Sequence, residues 1–131
     1  MINSHIVDTF PTFLAFWEKA QHLPLDTQIE GWVSDYMAQW PELLEKQIQS
    51  YVDDGDDWRS IARERVIPFW TERLPSMRRA HENLQRVCTP VYERAQATLG
   101  FGQPLTFVIY VGIGCGAGWA TMYQDNAAIL F

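Results

Sequence analysis

The chain has 131 residues, a formal charge of −6 and two cysteines, and 47% of its residues are hydrophobic. A chain this long buries roughly two thirds of its unfolded surface, and six Trp and seven Phe supply large apolar area per residue, so one core forms without metal or disulfide staples and disorder is excluded. The acidic balance excludes nucleic acid and anionic membrane as partners, because both require a net basic face to displace counterions.

No apolar run approaches the roughly 18 residues of a membrane span, and the N-terminus lacks a basic segment ahead of an apolar one. No signal peptide is therefore read, and the expected location is cytoplasmic. Cys88 and Cys115 lie far apart on unlike elements, which reads as two buried thiols rather than a bridge.

The first hundred residues read as helices with short punctuation. Phe10, Phe13, Leu14 and Trp17 recur at three- and four-residue spacing behind Thr9 as N-cap, with Pro11 in the first turn. Leu23-Pro24 closes that helix. Asp26 is the expected N-cap of a second helix, whose Ile29, Trp32, Val33, Tyr36, Met37 and Trp40 make one apolar stripe. Pro41 divides it from a third, in which Leu44, Ile48, Tyr51 and Val52 share a face.

The run DDGDD at 53–57 lacks the alternating ligands and distal glutamate of a calcium loop. Gly55 as a helix terminator and Asp56 or Asp57 as the next N-cap account for it. A fourth helix runs from Trp58 towards Trp70, kinked or ended by Pro68. A fifth, 76–99, carries Met77, Ala80, Leu84, Cys88, Val91, Ala95 and Leu99 on one stripe, is interrupted by Pro90, and is long enough to lie across a sheet.

After Gly102 the period changes. The near-continuous apolar run from Leu105 to Val111 reads as a strand covered on both faces. Residues 117–123 alternate, Gln124-Asp125-Asn126 tolerate positive φ, and Ala127 to Phe131 reads as a returning strand. No internal repeat is visible. The expectation is an α+β chain: a single domain or domain fragment over 1–131, with about five helices in 1–100 and a small antiparallel sheet, truncated, in 103–131.

Between the strands, Gly112, Gly114, Gly116 and Gly118 alternate. Gly112 to Ala117 satisfies the dinucleotide pattern G-x-G-x-x-A, but Gly118 to Tyr123 alternates like a strand where that fingerprint requires a helix to face the pyrophosphate. No Gly-Lys-Ser/Thr is present after the loop either. The glycines read as a tight turn between strands.

His5 and His22 have no partner at ligand spacing. His81-Glu82 begins like a zinc-peptidase helix, yet the position four residues after His81 is Gln85, so two imidazoles cannot share that face. His81 reads as a boundary residue of the helix. Cys115 has no nearby histidine to act as a base, and no nucleophile-elbow pattern occurs.

The segment FVIYVGIGCGAGWATMYQDNAAILF, 107–131, resembles the stretch that precedes the H-E-x-x-H helix in a family of bacterial predicted zinc-dependent metallopeptidases of the zincin type. The resemblance implies a hydrolase whose sheet is built first and whose zinc helix comes next in sequence. The 131 residues end before any such helix, so no catalytic residue and no metal ligand carries over. Zinc is implied for a longer parent protein and no cofactor for this chain.

In zincins generally, a sheet-edge strand beside the zinc helix pairs with an extended peptide. By that likeness Trp119 to Tyr123 or Ala127 to Phe131 is the cleft wall, with Trp119, Ala120 and Thr121 as candidate substrate-cleft residues. The implied partner is a peptide or protein substrate, and the apolar terminal strand is a candidate for self-association. The chain is expected to supply sheet framework and cleft wall and to be inactive alone. The alternative is a non-catalytic helical module for a small apolar ligand or a partner helix.

Overall fold

The computed structural model describes residues 4–100, 102–114 and 118–131. The chain is α+β. A strand β1 (Ser4–Asp8) comes first, followed by helices α1 (Phe10–Ala20), α2 (Leu25–Gly31), α3 (Pro41–Asp54), α4 (Trp58–Ile61) and α5 (Trp70–Leu99). Strands β2 (Leu105–Ile109), β3 (Trp119–Tyr123) and β4 (Asn126–Leu130) complete it. None of the helices is long and apolar enough to cross a membrane, among the described residues.

The sheet corrects two expectations. It has four strands in the order β1-β2-β4-β3, and it is mixed: β2 runs parallel to both β1 and β4, and only β3 and β4 pair antiparallel. It also draws on the N-terminus, which the sequence placed in the helical region. β1 offers only Ile6 and Val7 as strand formers and finds its partner about a hundred residues away, in a register that runs from Ser4↔Leu105 to Asp8↔Ile109. No local pattern encodes such a pairing.

Contacts divide the chain into two compact units, one of residues 1–10, 75–110 and 116–131, the other of 11–74 and 111–115. In the first, α5 lies across one face of the sheet. Cys88 and Tyr92 pack on Phe107, with Ile6, Leu84, Leu105, Ile129 and Phe131 around them. Burial pushes the Cys88 thiol up from its ordinary range. The inward stripe is therefore rotated from the expected one: Tyr92 is buried, while Val91 and Leu99 are 59% and 78% exposed. Pro75 and Pro90 both sit inside this helix, which begins at Trp70 rather than at residue 76.

The second unit is built on aromatic rings. Phe13 meets the edges of Tyr36 and Trp70 at centroid distances of 5.5 and 5.0 Å, and Trp17 meets Trp70 edge-on at 5.1 Å. Such pairs add about 0.5–1.5 kcal/mol each to their burial. The Trp17 indole also donates to the Thr71 hydroxyl at 3.1 Å. α1 starts at Phe10, directly behind Thr9 as expected; the Thr9 hydroxyl donates to the Ile109 carbonyl, and Asp8 accepts from the Phe10 amide. Asp26 caps nothing, because α2 opens at Leu25 behind Pro24 with no side-chain cap.

The expected second and fourth helices each change hydrogen bonding in mid-course, and they do so alike. α2 passes into a π-helical turn at Trp32–Tyr36 and a 3-10 turn at Met37–Gln39, while α4 passes into a π-helical turn at Ala62–Val66 and a 3-10 turn at Ile67–Phe69. The ends of α2 and α4, the two π-helical turns and the two 3-10 turns are each offset by 30 residues, and Trp40 and Trp70 come next at the same offset. This is a structural repeat that sequence identity hides. Trp32 meets Trp58 at 5.4 Å, and the pairs Glu30–Arg59 and Asp26–Arg63 lie across the two copies. The hydrogen bond from Arg59 lowers the Glu30 carboxyl from its ordinary range.

Caps behave as expected at the acidic run. Gly55 takes φ +74° and ends α3, with Asp56 N–H donating to Tyr51 and Gly55 N–H to Val52, and Asp57 caps α4 by accepting from the Arg59 amide. The buried face of α3, however, is Leu43, Gln47 and Tyr51 rather than Leu44, Ile48 and Val52. A glutamine at the centre of the inward stripe disguised it.

Both polar atoms of the fully buried Gln47 amide lack a hydrogen-bond partner. An orphaned buried polar group costs about 1–3 kcal/mol. The substitution Gln47→Met, which keeps length and removes the amide, is expected to raise unfolding free energy by about 1–2 kcal/mol in urea titration. A fall in stability would mean that the amide is engaged.

Candidate functional site

The C-terminal hairpin sets the geometry of the sheet edge. Gln124 and Asp125 take φ of 50° and 65°, the two successive positive values of a type I′ turn, and Tyr123 faces Asn126 across it. In such a hairpin the flanking pair is hydrogen-bonded, so Tyr123, Thr121 and Trp119 direct their backbone groups to β4 and Ala120 and Met122 direct theirs outward. The ladder on the other side of β4 agrees. Phe131, odd-numbered, donates to the Val108 carbonyl at 2.9 Å, so odd positions of that segment face β2.

β4 is therefore paired along both edges, by β2 and by β3. The terminal strand named as a candidate for self-association is thus an inner strand of the described sheet. Of the two strands considered as a cleft wall, β3 is the one at the margin of the sheet, and it holds Trp119, Ala120 and Thr121 in adjacent register positions opposite Leu130, Ile129 and Ala128. Ala120 and Met122 lie on the face that α5 crosses, yet both are exposed, Met122 to 55%. Trp119 is half-buried, and its indole donates to the Tyr110 hydroxyl at 3.3 Å.

The glycine turn feeds this strand. Val111, where β2 gives way to the turn, has both backbone groups bound by side chains of the first π-helical turn: its carbonyl accepts from Trp32 Nε1 and its amide donates to the Tyr36 hydroxyl, each at 2.9 Å. Gly114 has φ +67°, and a Cβ there would lie 3.0 Å from Ile61 Cγ2, so the turn requires glycine for conformation and for space. Cys115, Gly116 and Ala117 lie outside the described residues. The next described element is β3, a strand where the dinucleotide fingerprint needs a helix.

His81 and Gln85 do share a helical face, and both grip Asp8. His81 Nε2 lies 2.7 Å from Asp8 Oδ2, and the Gln85 amide donates to the same oxygen at 2.9 Å. Asp8 Oδ1 accepts from the Phe10 amide, and the Phe10 ring lies 4.6 Å from the imidazole. The cluster pins α5 to the end of β1. It does not fit zinc: it offers one imidazole and one carboxylate whose two oxygens are taken, and among the described residues no group of three His, Cys, Asp or Glu could hold a metal ion.

A groove of about 330 Å³ runs beside α1, floored by Phe16 and Ala20 and bounded by Thr12, Lys19, Asp35 and Gln39. Gly31 lets Phe16 approach its α2 wall, since a Cβ there would lie 2.9 Å from the ring. The aromatic spacing allowed a ligand-holding helical face as an alternative but did not locate the groove, whose walls come from residues that only the fold brings together. Comparisons with protein-family models, curated proteins and solved structures gave no match to this chain.

If the His81 cluster is a structural pin, His81→Ala should destabilise the protein by about 1–3 kcal/mol, through a carboxylate left short of a donor. His81→Asn, which keeps a donor, should cost less, and metal content should be the same in all three proteins. Calorimetry and elemental analysis check both.

Proposed function

We propose that residues 1–131 form the sheet framework and peptide-cleft wall of a zincin-type metallopeptidase and are inactive alone. The observation that carries this reading is the place of β3: a five-residue strand with a single described neighbour, antiparallel to it, and left by a two-residue hairpin. The resemblance of 107–131 to the segment ahead of a zinc helix supports it. In that reading β3 lies along the substrate and Trp119, Ala120 and Thr121 line the cleft, with main-chain hydrogen bonds providing the common part of recognition. Zinc and the general base belong to residues outside the 131, because these hold no pair of histidines four apart.

The test is the gene. The codons after Phe131 should continue in frame and encode H-E-x-x-H within a few tens of residues, and the protein so encoded should bind zinc stoichiometrically and cleave peptides. A stop after Phe131, or a continuing frame with no such histidine pair, overturns the reading.

The groove beside α1 favours a second reading, a non-catalytic module for a small ligand. Filling it with Ala15→Trp should then abolish the thermal shift produced by any small molecule that stabilises the native protein. An unchanged shift removes the groove from consideration.

A further inference from the structure

α5 covers only part of the sheet face on which it lies. Asp8 and Ser4, the last and first residues of β1, bond to Gln85 and Thr89, so the helix runs along the β1 side of the sheet. Strands about 4.8 Å apart make a four-stranded sheet about 15–20 Å wide, and a helix about 10 Å across covers about half of it. Towards β3 the same face is open. Met122 is 55% exposed and Ile129 and Phe131 are half-buried, whereas Ala128 and Leu130 on the opposite face are buried.

α5 turns an apolar flank to that opening. At about 100° per residue, Gln85 and Thr89 lie on one side of Cys88 and Leu84, Val87 and Val91 on the other, the side of β4 and β3. Ala80, Leu84, Val87 and Val91 follow at spacings of four, three and four residues, the seam that one helix offers to another. Val87 and Val91 are 39% and 59% exposed. The outer edge of the seam is basic. Arg79 and Arg86 each reach back one turn, to the Ser76 hydroxyl at 3.1 Å and the Asn83 amide oxygen at 2.8 Å, which draws both guanidinium groups towards the seam. Arg94, about five turns after Ser76, stands on the same edge. None of the three takes part in an ion pair among the described residues. α5 as a whole holds five Arg and three Glu in a chain of formal charge −6.

We infer that this opening receives an amphipathic helix of a partner protein, apolar where it lies against Val87, Val91 and Met122 and acidic along the edge that meets Arg79, Arg86 and Arg94. The width of the uncovered half and the spacing of the seam both fit a helix, and carboxylates on its edge supply the charge that the arginines lack. A second copy paired about a two-fold axis would set the same arginines against one another. The inference concerns the face of the sheet and is independent of the cleft-wall reading, which concerns the edge of β3.

The experiment follows fluorescence anisotropy as the 131-residue chain is titrated into labelled peptides of about 20 residues, long enough to hold a helix. One is an amphipathic helix with Leu at the seam positions and Glu along one edge, one has Lys in place of those Glu, and one is a scrambled form of the first. The acidic helix should bind saturably, the basic one about tenfold more weakly, and the scrambled one not at all. Arg86→Glu should weaken the acidic peptide and strengthen the basic one, a reversal that a merely structural role would not produce. Val91→Asn should weaken the acidic peptide about tenfold, while Val52→Asn, at a 62% exposed site on α3, should leave it unchanged. Absence of saturable binding, or equal binding of the acidic and basic helices, overturns the inference. So does dimerisation that Val91→Asn abolishes and the acidic peptide does not displace, because a second copy is then the occupant. Loss of peptide binding when the chain is lengthened by the codons after Phe131 overturns it as well, since the protein's own continuation then covers the face. Should Val91→Asn fail to fold, Arg86→Glu, at an exposed position, decides.

Discussion

β2 is parallel to both of its neighbours, and a parallel pair cannot be closed by a tight turn. The rest of the topology is a consequence of that constraint. Between β1 and β2 the chain makes a long excursion, and the whole set of helices occupies it. Between β2 and β4 it makes a second excursion, which includes β3, laid down as an outer strand and joined to β4 by two residues. An antiparallel strand at the margin is thus the shortest route by which this chain brings β4 in beside β2 in the same direction. The residue at which the route leaves the sheet, Val111, is held through both of its backbone groups by Trp32 and Tyr36, both fully buried. Buried backbone groups so satisfied are costly to release, by about 1–3 kcal/mol each.

Much of this architecture is written locally and could be read. The aromatic spacing of α1 and α2, the Gly55 terminator, the Asp57 cap and the positive-φ pair at Gln124-Asp125 are each decided within a few residues. The parts that could not be read are decided at long range. β1 has two apolar residues and a partner a hundred positions away. The buried side of α3 includes Gln47, which any apolar template rejects, so the template settles one residue away on Leu44 and Ile48. The inward stripe of α5 passes through Cys88 and Tyr92 because the sheet meets it there, whereas Val91 is an equally good apolar residue on the wrong azimuth.

The π-helical turns are illegible for a different reason. A π turn inserts a residue into a helix without changing its composition, and at Trp32–Tyr36 it swings Trp32 and Tyr36 together into the core, where an ideal helix would serve as well for the periodicity. The second copy at Ala62–Val66 precedes Pro68, whose missing N–H explains the altered bonding there, but the first has no proline in its span. The shared 30-residue offset therefore reflects a common packing arrangement of two helical segments more than a common sequence.

The strand that holds Trp119, Ala120 and Thr121 was legible in its alternation, but whether it or the apolar terminal segment lies at the margin depends on which strand β2 selects. Hydrophobicity decides it. Ala128 and Leu130 are buried to 2% and 0% exposure, and a strand so apolar gains most from a central position with neighbours on both sides. Placing β4 inside leaves the margin to β3, whose half-buried, uncharged pattern tolerates water without being protected against a further strand. The charge of the molecule is carried almost wholly by the residues before Ala95. Strands β2, β3 and β4 carry no charged side chain, whereas β1 ends on Asp8.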